Sequence, residues 1–258
     1  MPSRLALLAL AGVLAALTGG CTVAPTALTP EQIPTSFIGL VSAPNRTMHM
    51  EWTGTSGMAG RGAATTPFSA SFDLAGDDFA GRITTQMNFD VEEQGGQSST
   101  TEMALVGGQA YSRTPFSGGW QRLQNGDMPI GVDPLRKLEL DDIQYVGSET
   151  RDGTDVHHVR VLNVANVAAG LFGGLINGLG TVSFDPASSS FDVYVDADAK
   201  PVSARLQLTT DADPDEFGTI NLTSSYAFTN WGAEIYIVAP VVAPNGGGGD
   251  VGVPQPMP

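Results

Sequence analysis

Cysteine is nearly absent from this chain of 258 residues, in which Cys21 is the only one. Without a second thiol no disulfide can form within the chain, so a hydrophobic core must stabilise its fold. The length is sufficient for one sizeable core. With 32 glycines, 17 prolines and only 15% charged residues, the composition favours a turn-rich β protein over a helical bundle.

Positive charge is also scarce. Lysine and arginine together number 12, against 27 aspartates and glutamates, and the formal net charge is -15. Nucleic-acid binding depends on basic side chains that neutralise phosphates, so we expect no nucleic-acid partner. The same shortage disfavours docking on anionic lipid head groups through a basic patch.

The sequence lacks the GxSxG, HExxH and CxxC motifs of common catalytic and metal centres. His157 and His158 are neighbours on a predicted strand, so they face opposite sides and cannot share a metal. The acidic residues 211–216 lack the sixth-position glycine and twelfth-position glutamate of a calcium loop, which favours a plain hairpin turn. We therefore expect no enzyme, no catalytic residue, no cofactor and no metal site, with calcium binding by that turn as the alternative.

The amino terminus has the pattern of an export signal. Arg4 precedes an apolar run at residues 5–17, and small residues lead from Thr18 into Cys21. The run is shorter than the roughly 20 residues that span a bilayer, so cleavage is favoured over retention as a membrane helix. The segment resembles a lipobox, although Thr18 stands where a large apolar residue is usual. We expect a lipid-modified Cys21; the alternative is an ordinary secretory signal with an incidental cysteine.

This pattern predicts a protein held in the cell membrane by the Cys21 lipid, facing the extracytoplasmic side in the cell envelope or periplasm. The chain then divides into a signal peptide at 1–20, a tether at 21–29 and a folded domain at 30–239. A Pro/Gly-rich tail at 240–258 is expected to be disordered. The oligomeric state is left open, with a monomer as the expectation.

Alternating hydrophobicity predicts a protein made mostly of strands. Phe79, Ile83 and Met87 fall on one face of their segment, with Arg82 and Gln86 on the other. The same period and the intervening turn residues give about eleven antiparallel strands in a meander, apolar on one face and polar on the other. The predicted strands are 46–56, 66–75, 78–92, 97–107, 109–114, 119–124, 142–151, 155–163, 189–197, 201–211 and 218–230.

Three helices are predicted between these strands. The first follows Thr29 as its cap and Pro30 as its first residue, and a second, short one spans residues 133–138. The third, at residues 164–179, keeps an unbroken apolar stripe but contains four glycines, each costing about 1 kcal/mol of helix stability. It is equally consistent with core packing and with a mobile lid.

The areas of these elements imply a cavity. Eleven strands present an apolar face of roughly 1,300 Å², whereas the longest helix covers roughly 240 Å². Soluble monomers rarely expose so large an apolar patch, so the remainder must be buried by curling of the sheet, by a second sheet or by a bound apolar ligand. Curling of the sheet into an open barrel leaves an apolar cavity, the usual form of a ligand site. The residues predicted to line it are Phe72, Leu74, Ile83, Met87, Phe89, Met103, Leu105, Val167, Leu171, Leu175, Val193, Leu206, Leu222 and Phe228.

Several stretches make the chain resemble the LppX/LprG-type lipoproteins and, more distantly, the LolA-like lipoprotein carriers. They are AYSRTPFSGGWQRL from Ala110, IQYVGSETRDGTDVHHVRV from Ile143, FDVYVDADAKPVSARLQL from Phe191 and YAFTNWGAEIYI from Tyr226. The resemblance implies a mostly β, α+β fold: an eleven-stranded antiparallel half-barrel with short helices on its concave side. It also implies that the half-barrel holds acyl chains of a lipid or lipoprotein.

The leading functional hypothesis is therefore a membrane-anchored lipoprotein that binds acyl chains in its apolar half-barrel, for lipid carriage or transfer in the cell envelope. Its partners would be a lipid or acylated ligand, and the membrane through Cys21. The alternative is a non-enzymatic sensory or interaction lipoprotein that keeps the same fold and contacts an envelope protein. A cavity filled by the protein's own side chains would favour the alternative.

Overall fold

Strands that alternate in polarity pair into one large antiparallel sheet. The computed structural model describes residues 27–59, 64–87, 97–123, 131–176, 183–211 and 219–242. Each of the eleven predicted strands has a counterpart, although the sixth is shortened to two residues, and a twelfth, β9, is added. Residues 88–92 of the predicted third strand lie outside the described residues. The strands are β1 Thr47–Ala59, β2 Ala64–Ala75, β3 Asp78–Met87, β4 Gln97–Val106, β5 Gln109–Arg113, β6 Gln121–Arg122, β7 Ile143–Arg151, β8 Thr154–Val161, β9 Ser183–Phe184, β10 Ser190–Val195, β11 Pro201–Asp211 and β12 Thr219–Thr229.

The order of strands in space differs from a simple meander. The sheet runs β6-β5-β4-β3-β2-β1-β12-β11-β10-β8-β7, with β9 paired to β11 outside this path. Because β1 pairs with β12, the first and last strands lie side by side in the middle of the sheet. The edges are β6 and β7, which are consecutive in the chain but do not pair. The sheet is therefore an unclosed half-barrel, as predicted.

Burial follows the period of two. On β12 the side chains of Leu222, Ser224, Tyr226 and Phe228 are buried between exposed neighbours. On β1 Met48, Met50 and Trp52 are buried between neighbours that are partly or fully exposed. Inward residues of every long strand join one hydrophobic cluster. The core thus lies on the concave face, where the alternation of apolar residues predicts it.

Two α-helices lie among the described residues, α1 at Ile33–Val41 and α2 at Val164–Ile176. α1 begins later than predicted, because residues 30–32 form a turn in which the Thr29 carbonyl accepts from the amides of Gln32 and Ile33. Pro34 falls in the first turn of α1, where its missing N–H is not needed. Residues 177–179 of the predicted third helix lie outside the described residues. No helix in the described part of the chain is both long and apolar enough to cross a bilayer.

The short helix predicted at residues 133–138 is wrong. Residues 134–137 form a turn, and a 3₁₀ helix follows at Leu140–Asp142. The Asp133 carboxylate accepts from the Leu135 amide at 3.0 Å, which closes a local turn and competes with helical hydrogen bonds. The spacing of Leu135 and Leu138, both buried, mimics a helical stripe in this turn.

After β12 the chain crosses the outer, convex face of the sheet. The Gly232 amide donates to the Thr47 carbonyl at 3.0 Å, and Val242 forms a bridge with Trp120 beside β6. Residues 240–242, placed in the predicted tail, belong to this extended segment. The predicted signal peptide, Cys21, the tether as far as residue 26 and residues 243–258 lie outside the described residues.

Candidate functional site

The concave face gathers the residues that the sequence assigns to ligand binding. Most of them are buried in the single core cluster, and Leu105 is partly buried against it. The buried members are Phe72, Leu74, Ile83, Met103, Val167, Leu171, Val193, Leu206, Leu222 and Phe228. The side chains of Met87, Phe89 and Leu175 lie outside the part of the chain that the structure describes.

An aromatic row runs across the centre of this face, and the predicted set omits most of it. The Trp52 ring packs edge-on against Phe68 at a centroid distance of 5.0 Å and stacks on Tyr226 at 5.4 Å. Tyr226 in turn stacks on Phe228 at 6.2 Å and meets Phe191 edge-on at 6.3 Å. The period of two in β1 and β12 already places Trp52 and Tyr226 inward, so the signal for them is present in the sequence.

Glycines bring the aromatic rings close to the sheet. A Cβ added to Gly81 would overlap the Ser71 carbonyl and the Phe72 ring, and one added to Gly54 would lie 2.7 Å from the Phe68 ring. Each glycine therefore leaves the space that a neighbouring phenyl ring occupies on the inner face.

Among the described residues, three segments cover the concave face: α1, residues 131–138 and α2. They contribute buried apolar side chains to the core, and both helices lack charged residues along their whole length. α2 buries Val167, Ala168 and Leu171, whereas its outward positions Ala165 and Ala169 are small and exposed. We call these three segments the cover. Its inner side is apolar, and the outer side of α2 presents mostly small side chains.

The loop at residue 131 attaches α2 to the rest of the cover. The Gly131 amide donates to the Leu171 carbonyl at 2.7 Å. A Cβ on Gly131 would overlap the Gly170 carbonyl oxygen, so only glycine permits this approach. α2 is held here through backbone contacts rather than through charged side chains.

The same loop is fixed to the sheet by a buried ion pair. Arg46, just before β1, pairs with Asp133, and their side chains are 3% and 9% exposed. Arg136 pairs with Asp77 in the turn between β2 and β3, at a more exposed position. Burial is the main reason that the pKa of Arg46 is lowered to about 10. The positive charge of Arg136 lowers this pKa further, whereas the negative charge of Asp77 raises it. Arg46 therefore remains charged at neutral pH.

A small cavity lies where the cover meets β3 and β4. Its volume is about 140 Å³, with Phe79, Leu105, Val132 and Val167 among its apolar walls and Lys137 at its rim. Pockets for ligands of drug size measure about 300–1,000 Å³, so an acyl chain needs more room than this cavity offers. A chain would fit into this cavity only if the cover moved away from the sheet.

The three histidines contact separate sets of polar groups. His157 Nδ1 lies 3.1 Å from both the Tyr145 and the Ser148 hydroxyl oxygens, and His158 Nε2 lies 2.7 Å from Asp192 Oδ1. The two neighbours occupy opposite faces of β8, as the sequence predicts. Of the acidic residues 211–216, 212–216 lie outside the described residues, as does the side chain of Asp211.

His49 stands on the outer face between two carboxylates. Its Nδ1 lies 2.8 Å from Asp73 Oδ1, and its Nε2 lies 2.7 Å from Glu51 Oε1. Burial opposes the charged imidazole, but the hydrogen bonds and charges of Asp73 and Glu51 outweigh it and raise the pKa of His49. The outer face thus carries a local charge cluster around His49.

No family model and no curated protein sequence matches the chain. Among solved structures it is similar to a domain assigned to outer membrane lipoprotein sorting from Vibrio parahaemolyticus, with 11% identity, a TM-score of 0.30 and coverage of 79% of this chain and 92% of that one. A LolA superfamily protein from Nitrosomonas europaea shares 9% identity, with a TM-score of 0.25 and coverage of 80% and 93%. A DUF1329 family protein from Desulfovibrio piger shares 11% identity, with a TM-score of 0.25 and coverage of 78% of this chain and 90% of that one. Scores this low carry no argument about function, and the half-barrel rests on the chain's own strand pairing.

Proposed function

We propose that this protein is a lipoprotein of the cell envelope that takes up acyl chains between its half-barrel and its helical cover. The observation that carries the proposal is the continuous, mostly apolar concave face of an unclosed sheet, which in the described residues is covered by two helices without charged side chains and one loop. Each methylene transferred from water to this interior contributes about 0.8 kcal/mol. No side chain needs to perform chemistry.

The cover supplies a route for the chain to enter. α2 contains glycines at positions 170, 173 and 174, which weaken a helix, and its exposed side contributes no charged contacts. Moving α2 outward exposes Leu171 and Val167 together with the sheet residues beneath them. Acyl chains then cover the sheet in place of these helix side chains. Their burial offsets much of the free energy that is lost when α2 moves and exposes apolar surface.

Attachment through a lipid on Cys21 would keep this interior close to a membrane. Diacylation together with an N-acyl chain holds a protein on a bilayer stably, whereas a single chain does not. Labelling cells with a palmitate analogue tests this part of the proposal. The wild-type chain should take up label, and the Cys21→Ala variant should not; equal labelling of both would refute lipidation at Cys21.

The central experiment is lipid analysis of a form that lacks residues 1–21, extracted without denaturant and examined by native mass spectrometry. We expect bound species with the masses of acylated lipids. After solvent removes them, the refolded protein should bind a fluorescent fatty-acyl probe. A protein that carries no lipid and takes up no probe contradicts the proposal.

A second candidate is a sensory or interaction lipoprotein on the same half-barrel. Two observations favour it: the described interior is filled by the protein's own side chains, and the segment after β12 exposes Tyr236, Val238 and Val241. Photo-crosslinking in cells from position 236 tests it. A crosslinked envelope protein, together with an empty interior in the lipid analysis, would favour this candidate.

A further inference from the structure

Two hydroxyl groups lie next to each other on the concave face, among aromatic and apolar side chains. Ser224 and Tyr226 are two residues apart on β12, so both point inward, and each residue is 2% exposed. The two hydroxyls lie close enough to hydrogen-bond with each other, but neither oxygen has a well-aligned partner elsewhere in the part of the chain that the structure describes. One hydrogen bond between them uses only one of their two O–H donors, so the other donor is left without an acceptor. Burying an unpaired hydroxyl costs folding free energy, and native proteins keep few such groups without a reason.

Both groups are neutral. Burial raises the pKa of the Tyr226 phenol well above its usual range, and the neighbouring Ser224 hydroxyl offsets only part of that rise. Each hydroxyl can therefore donate one hydrogen bond and accept others at any physiological pH. Together they form a small polar spot in an apolar wall.

The spot borders the accessible part of the concave face. Ser224 is paired with Gly54, and an added Cβ at Gly54 would lie 2.8 Å from the Ser224 Cβ and 2.7 Å from the Phe68 ring. Phe68 is only partly buried, and so are the next inward residues towards that end of the sheet, Ser56 and Thr66. A ligand that entered from this end would meet the two hydroxyls directly beyond Phe68.

The charges around the spot restrict what it can bind. In the described residues the buried cation is Arg46, which lies at the opposite end of β1 and is already paired with Asp133. An ionised carboxylate placed at Ser224 would therefore have no counter-charge, and its desolvation would be unfavourable. A neutral carbonyl needs only hydrogen-bond donors, which these hydroxyls supply.

We propose that Ser224 and Tyr226 form a polar subsite that binds the ester carbonyl of an acylated ligand and thereby distinguishes esterified acyl chains from free fatty acids and plain hydrocarbons. This subsite rests on the proposed acyl-chain binding and specifies its ligand class. The two hydroxyls donate to the carbonyl oxygen, while Phe68 and Trp52 pack against the adjacent methylenes.

The test uses the full chain in mild detergent and three photoreactive probes of equal length: an acyl methyl ester, the free fatty acid and an alkane. Dissociation constants come from the yield of crosslinking as the probe is titrated. The Ser224→Ala/Tyr226→Phe variant removes both hydroxyls and keeps the shape of the site. The matched control is Ser225→Ala/Tyr194→Phe, which removes the same two groups from the outer face, where Tyr194 packs under Arg151.

The wild type and the control should bind the ester more tightly than the other two probes. The inner variant should lose about tenfold in affinity for the ester and bind the alkane as before, because two hydrogen bonds to a neutral group are lost. Circular dichroism should show it melting at or above the wild-type temperature, since it buries fewer unpaired groups. Equal ester affinity in the inner variant and wild type overturns the subsite alone. A wild type that binds none of the probes overturns the acyl-chain function itself.

Discussion

The indole of Trp52 stacks on the ring of Tyr226, with the ring centroids 5.4 Å apart and the planes inclined by 13°. Their residues are directly opposite in the register of β1 and β12. This aromatic contact therefore reinforces, on the inner face, the hydrogen-bonded ladder between the first long strand of the chain and the last. Because both rings are buried, this contact is central to the core as well as to the proposed binding face.

Truncating Trp52 should destabilise the whole sheet. Trp52→Ala is expected to lower the free energy of unfolding by about 3–5 kcal/mol, because it opens a cavity among Phe68, Tyr226 and their neighbours. Urea unfolding followed by far-UV circular dichroism measures this. Tyr236→Ala is the comparison, since Tyr236 is 78% exposed, and it should change stability by less than about 0.5 kcal/mol. Similar losses in both variants would mean that the aromatic row does not support the core.

Breaking the buried ion pair should cost more than removing it. Asp133→Ala leaves the Arg46 guanidinium buried without its partner, and we expect a loss of about 3–5 kcal/mol. The double variant Arg46→Met/Asp133→Leu removes both charges and should recover most of that loss. Chemical denaturation of the wild type, Asp133→Ala and the double variant measures and compares their free energies of unfolding. A double variant as unstable as Asp133→Ala would show that the loss does not come from an unpaired buried charge.

His49 should make stability depend on pH above about 6.5. Its folded pKa is raised above the unfolded value, so the contribution is fully present below the unfolded pKa and is lost as pH rises through the folded one. The stability difference between wild type and His49→Gln should therefore be largest at pH 6 and shrink towards pH 9. Asp73→Asn removes one of the two carboxylates and should weaken the same pH dependence. A difference that stays constant over this range would contradict the assignment.

Gly131→Ala should loosen the cover. The added methyl group overlaps the Gly170 carbonyl oxygen, so α2 must move away from residue 131 and weaken the hydrogen bond to Leu171. We expect faster amide hydrogen exchange in residues 164–171 and faster exchange of a bound acyl probe. Gly39→Ala is the matched control, because a Cβ there meets nothing within 4 Å. If the two variants behave alike, residue 131 does not restrain α2.

The strands were predictable because their signal is local. Alternation of apolar and polar residues is visible within each segment, and the intervening glycines and aspartates mark the turns. Pairing of β1 with β12 was not predictable, since nothing in the sequence around Met50 or Phe228 indicates that these residues, far apart in the chain, lie opposite each other in the sheet. The helix at residues 133–138 was wrongly predicted because Leu135 and Leu138 have helical spacing. In the structure the Asp133 carboxylate closes a turn there instead.

The candidate site divides in the same way. Inward positions such as Phe72 and Leu206 follow from the period of two alone. Ser224 does not, because a small polar residue in an inward position is indistinguishable from a break in the pattern until its surroundings are known. Gly54 and Gly131 likewise need the positions of their neighbours, Phe68 and Gly170, before their lack of a side chain has meaning.

The central position of β1 determines how the protein responds to mechanical load. β1 is hydrogen-bonded to β2 on one side and to β12 on the other, over nearly its full length. Tension applied at the amino terminus passes through α1 and then reaches a strand held by two ladders, rather than an edge strand held by one. Under such tension α1 would unfold before the sheet, and the half-barrel would keep its structure.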